Sequence, residues 1–95
     1  MKLVINTEHG GFGLSSKAEK RYAELSGTKV DPWEADRNDP FLIQVVEELG
    51  DFANDRYAQL KIVEIPDDVD WCVQDYDGYE WIAEKHRTWK YNEET

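Results

Sequence analysis

Residues 2–16 read Lys2-Leu3-Val4-Ile5-Asn6-Thr7-Glu8-His9-Gly10-Gly11-Phe12-Gly13-Leu14-Ser15-Ser16, a strand, a loop and a helix start in succession. The stretch opens on a short, β-branched apolar run ended by Asn6 and Thr7, the pattern of a buried strand. His9 to Gly13 follows as a loop. Ser15 or Ser16 then caps a helix, and Ser16 with Glu19 has the spacing of a capping box. Ala18, Tyr22 and Leu25 give that helix one apolar stripe, and Gly27 ends it.

Beyond Gly27, Thr28 to Asn38 reads as a loop carrying Pro32 and Trp33. A second helix starts with Asp39 as cap and Pro40 in its first turn, and Leu42, Val45, Val46 and Leu49 share one face up to Gly50. Phe52 to Tyr57 fits either a further helical turn or a structured loop. Leu60 to Ile65 is a strand stopped by Pro66-Asp67-Asp68. Val69 to Tyr76 alternates in the manner of a half-buried strand, Asp77-Gly78 is a hairpin turn, and Tyr79 to Ala83 returns. Glu84 to Tyr91 fits a strand extension or a short helix. The order β-α-α-β-β-β predicts an α+β fold: a small antiparallel or mixed sheet with two helices packed on one face. A chain of 95 residues supplies one core, so residues 1–91 form a single domain and 92–95 a frayed tail.

The net charge of −10 comes from 21 acidic against 11 basic residues and repels phosphate backbones and anionic membranes. Generic nucleic-acid binding is disfavoured; the acidity serves solubility or mimics nucleic-acid phosphates. Cys72 is the single cysteine, so no internal disulfide and no cysteine-based zinc site can form. With no signal-peptide pattern and no run near the length of a membrane span, the expectation is a cytoplasmic protein without cofactor or membrane partner.

Two stretches carry candidate binding chemistry. In the first, Gly10, Gly11, Phe12, Gly13, Ser15 and Ser16 lie between a strand and a helix, where backbone N–H groups and a helix N-terminus suit an anion. The alternative is a tight turn that needs glycine. Gly11-x-Gly13-x-x-Ser16 is a degraded dinucleotide fingerprint, and the chain has no room for a second βαβ unit. The second stretch holds Lys85, His86, Arg87 and Trp89, where cations would meet a phosphate and a ring would stack on a base. Its alternative is a solvated last element with its tryptophan in the core.

Trp71 and Trp81 flank the hairpin turn and are expected to face each other, whereas Trp33 lies in a loop and is expected to be exposed. Catalytic constellations are poor: neither His9 nor His86 has the neighbourhood of a general base. Glu80, Glu84 and His86 would share a strand face as metal ligands, a pattern that a solvent face also produces. Asp67, Asp68 and Asp70 read as a turn and Cys72 as a packing residue.

Val4-Ile-Asn6 with Gly10-Gly-Phe-Gly-Leu-Ser15 resembles the opening of a family of short, uncharacterised phage and prophage proteins. The resemblance extends to Asn38-Asp-Pro40, Val45-Val-Glu-Glu-Leu-Gly50 and Leu60-Lys-Ile-Val-Glu-Ile-Pro-Asp-Asp68. It is closest over Tyr76-Asp-Gly78, Glu80-Trp-Ile82 and Glu84-Lys-His-Arg-Thr-Trp89. The family pattern often carries a cysteine and an aromatic residue where this chain has Glu8 and His9, and is longer where this chain has Thr28 to Arg37. It implies a viral or prophage context and no reaction.

The function expected from these features is sequestration of a nucleotide-type small molecule, such as a host immune signal, without turnover. The alternative is an acidic protein-interaction module, either a DNA mimic or an inhibitor of a host enzyme. A small enzyme acting on a phosphorylated substrate, with His9 or His86 as base, is the third reading. A homo-oligomer is expected to build the pocket more readily than one short chain.

Overall fold

A computed structural model describes residues 1–85. The elements run β1 (Lys2–Asn6), α1 (Ser16–Ser26), α2 (Pro40–Leu49), a 3-10 turn over Gly50–Ala53, β2 (Leu60–Glu64), β3 (Trp71–Tyr76) and β4 (Tyr79–Glu84). The α+β class and the β-α-α-β-β-β order are those read from the sequence. The four strands form two antiparallel pairs, β1 with β2 and β3 with β4. In the first pair Val4 stands opposite Ile62; in the second Val73 stands opposite Ile82.

Ser15, not Ser16, caps α1: its hydroxyl accepts from Ala18 N at 3.1 Å and donates to Phe52 O at 2.6 Å. The helix ends at Gly27, whose N–H donates to Ala23 O. Asp39 caps α2 by accepting from Phe41 N at 2.9 Å, and its other oxygen accepts from the Tyr22 hydroxyl, which ties α1 to the start of α2. The segment after α2 closes as the 3-10 turn and then an Asx turn, in which Asp55 Oδ1 accepts from Tyr57 N at 2.9 Å.

On one face of the β1–β2 pair, α2 packs directly over the strands and α1 packs against α2 and the 3-10 turn. Val4 and Leu60 from the strands, Ala18 from α1, and Leu42, Val45 and Val46 from α2 form one buried cluster. Leu3 and Ile5 alternate to the opposite face of β1 and are buried as well, so β1 reads as an unbroken apolar run.

The hairpin turns on Asp77-Gly78, where both residues hold the positive φ that a two-residue hairpin turn demands. Its register sets Trp71 opposite Glu84 and Trp81 opposite Gln74, so the two tryptophans lie on opposite faces. That corrects the expected Trp71–Trp81 pairing: the two-residue turn fixes each partner, and these residues sit at different distances from it. The alternating burial expected for Val69 to Tyr76 is also absent. Trp71, Cys72 and Val73 are all half-buried, because neither face of this pair is fully covered. Asp67 and Asp68 lie in a turn, as expected.

Candidate functional site

β1 is closed at its outer edge by polar groups. The Val4 N–H donates to Arg37 O at 2.8 Å, and the Asn6 N–H donates to Glu80 Oε1 at 2.9 Å. Asn6 is fully buried and satisfied: Nδ2 donates to Glu8 O and Gly78 O, and Oδ1 accepts from Gln59 N. Glu80, only 7% exposed, receives both terminal nitrogens of Arg37, with Nη2 to Oε2 at 2.8 Å. The same guanidinium lies 4.0 Å from the centroid of the Phe12 ring. Charge-assisted, two-point pairing of this kind fixes geometry as well as adding energy. It sets the hairpin, the glycine loop and the 28–38 connection around a common point.

Between those three pieces lies a cleft of about 370 Å³. Gly10, Gly11 and Phe12 supply one wall, Pro32, Trp33 and Arg37 a second, and Asp75, Gly78 and Glu80 a third, with Asp55 from the turn after α2. Two glycines make the walls meet. A Cβ on Gly78 would overlap the backbone nitrogens of Gly10 and Gly11, so the hairpin turn presses directly on the glycine loop. A Cβ on Gly13 would overlap the Asp55 carboxylate. Close backbone approach is therefore one structural use of the glycines, and Gly10 and Gly11 also hold the positive φ that a tight turn needs.

Of the residues singled out in the sequence, Gly10, Gly11 and Phe12 line the cleft. Gly13 is packed against a carboxylate of the chain itself. Ser15 has its hydroxyl occupied on both sides as the helix cap, and Ser16 is the first residue of α1; neither lines the cleft. Lys85 is not brought to the glycine loop. It follows β4, with its N–H on Asp70 O, while Gly78 at the other end of the strand touches the loop. At the rise of a strand those ends are roughly 20 Å apart. His86, Arg87 and Trp89 lie outside the described residues, as do the expected last element up to Tyr91 and the 92–95 tail.

His9 packs edge-on against Tyr76 and, at 5.6 Å between ring centroids, against Tyr79. Glu80 is committed to Arg37 and Asn6, which removes it from the Glu80-Glu84-His86 metal alternative. Cys72 is half-buried opposite Ala83. Trp33 is 93% exposed at the cleft, in keeping with its place in a loop.

Sequence reasoning missed Arg37, Asp55, Asp75 and the role of Glu80. Asn6 carried the one usable signal: a polar residue at the end of an apolar buried strand needs partners. Among known protein families, curated proteins and solved structures, none matches the chain. No helix among the described residues is long and apolar enough to cross a membrane.

Proposed function

We propose that the protein acts by capture rather than turnover, as an acidic protein-interaction module whose partner seats at the cleft. The partner in this reading is a protein with a basic surface, one that otherwise holds DNA or another polyanion. The setting is the phage or prophage one that the sequence resemblance implies. The charge of the cleft carries the reading: Asp55, Asp75 and Glu80 line it, and its one guanidinium is already paired with Glu80. Such a lining attracts cations and repels phosphate, in line with the net charge of −10. The exposed Trp33 adds a ring of the type that dominates protein interfaces.

Sequestration of a nucleotide-type small molecule is the second reading, and one observation favours it. Trp33 and the Gly10-Gly11 backbone share a cleft whose volume suits a stacked base. A phosphate there needs a cation, however, and Lys85 stands at the far end of the hairpin.

The test is recovery of a partner from host lysate, followed by calorimetry with that partner purified. The wild-type protein is expected to bind it and release it chemically unchanged, and a Trp33→Ala/Asp75→Asn double variant to lose it. Heat with a cyclic dinucleotide or a cyclic ADP-ribose isomer, abolished in the same variant, would move the function to the second reading. A partner held equally well by the double variant, or converted to a product, overturns capture at the cleft.

A further inference from the structure

We infer that what enters the cleft is an arginine side chain of the partner protein, its guanidinium held between the Asp75 carboxylate and the Trp33 ring. This rests on the capture reading above and specifies its chemistry.

The first observation is an unbalanced charge. Asp75 stands directly opposite Glu80 in the β3–β4 register, a like-charge cross-strand pair whose Cβ atoms are roughly 5 Å apart. Such a pair opposes the hairpin it sits in. Glu80 is paired with Arg37, whereas the Asp75 side chain has no hydrogen bond or ion pair to any described residue. A cation placed in the cleft relieves the repulsion, so its binding is coupled to the hairpin's own stability.

The second observation is a template inside the molecule. Arg37 shows how this cleft holds a guanidinium: one face on an aromatic ring, Phe12, and its nitrogens on a carboxylate, Glu80. Trp33 and Asp75 line the same cleft and bring to it another aromatic ring and another carboxylate, without a cation on either among the described residues. Tryptophan is the best of the aromatic faces for a cation, and the flat, delocalised guanidinium uses a ring and a carboxylate together where an ammonium acts as a point charge. Asp55 supplies a second carboxylate, with one oxygen on Tyr57 N.

The experiment follows the indole N–H signals of the full chain, labelled on its tryptophans, during titration with an Arg-Gly repeat peptide. Matched peptides carry lysine or the uncharged citrulline in place of arginine. The arginine peptide is expected to shift the Trp33 signal, the lysine peptide to bind several-fold more weakly and the citrulline peptide not to bind. Asp75→Asn is expected to weaken the arginine peptide about tenfold, the worth of one charge-assisted contact. The same variant is expected to keep or raise the unfolding midpoint, because it removes a like-charge pair; a merely structural Asp75 would lower it. Equal binding of the arginine and lysine peptides, an unmoved Trp33 signal, or AMP shifting that signal where the peptide does not, each overturns the inference. Should the arginine peptide fail while the Trp33→Ala/Asp75→Asn variant still loses the captured partner, the capture reading stands and the arginine falls. Should that variant also keep its partner, both fall.

Discussion

The β1–β2 and β3–β4 pairs are both antiparallel and nearly equal in length, and they are held in opposite ways. The first lies under two helices and shares their apolar cluster. The second contributes no fully buried apolar side chain among the described residues; its one buried residue is Glu80. A lone two-stranded hairpin is marginal in water, so this one depends on what joins it to β1, and the joint at that edge is polar. The body is stabilised by area removed from water, which is insensitive to detail. The hairpin is stabilised by a few directed bonds, which break one at a time. The seam puts Asp75, Gly78 and Glu80 of the cleft lining on the less deeply packed of the two pairs.

The largest effect is expected in the core. Leu42 is fully buried in α2 and packs in the cluster beneath both helices. Leu42→Ala is expected to cost about 3 kcal/mol from lost burial and the cavity left behind. Chemical denaturation should show a lower midpoint at unchanged slope, because the whole domain, hairpin included, loses its support. A variant that unfolded only the hairpin would contradict the assignment of the core to the β1–β2 side.

The seam is the next place to press. Glu80→Gln leaves the Arg37 charge half-buried beside a neutral amide and weakens the bond that Asn6 N–H makes, at an expected cost of about 2–3 kcal/mol. The loss should be local. Native-state hydrogen exchange is expected to speed up at Asn6 and across β3–β4 while α2 keeps its protection. Uniform loss of protection would mean that the hairpin and body unfold as one unit, and that the contrast between them is not energetic.

This same contrast explains what could be read from the chain. The helices, β1, β2 and the hairpin turn are legible because their signals are local: an Asp39-Pro40 start, a β-branched run, an Asp77-Gly78 turn. The cleft is not, because its parts are long-range. Arg37 meets a carboxylate 43 residues away, and Asn6 meets the same carboxylate across 74. Nothing in Asp36-Arg37-Asn38-Asp39 marks its arginine as the partner of a strand glutamate. In Tyr79-Glu80-Trp81-Ile82 the alternation suggests a solvent-facing Glu80, whereas the polar seam buries it. The glycine loop is legible in the sequence as either an anion cradle or a tight turn; its neighbours are the Gly78 turn and the Asp55 carboxylate.

The finest test separates the two regions by pH. Within the body, Tyr22 donates to Asp39, and that bond, with burial and the nearby Asp39 and Asp36 charges, pushes the tyrosine from 10.0 up to about 12. A pKa raised by folding means that the folded protein holds the proton more tightly than the unfolded chain. The stabilisation is therefore complete below pH 10 and is lost as pH rises from 10 to 12. A hydrogen bond to a charged acceptor contributes about 1.5–3 kcal/mol, and solvent screening of the half-buried tyrosine brings this one to roughly 1–2 kcal/mol. Tyr22→Phe is expected to lower stability by that amount at neutral pH and to remove this alkaline slope, read from unfolding midpoints across the interval. Glu80→Gln should leave the slope in place, since the hairpin seam does not use Tyr22. If instead Glu80→Gln flattened it, the α1–α2 joint and the hairpin would be coupled through Asp39 and the neighbouring Arg37, and the two regions would form one cooperative unit.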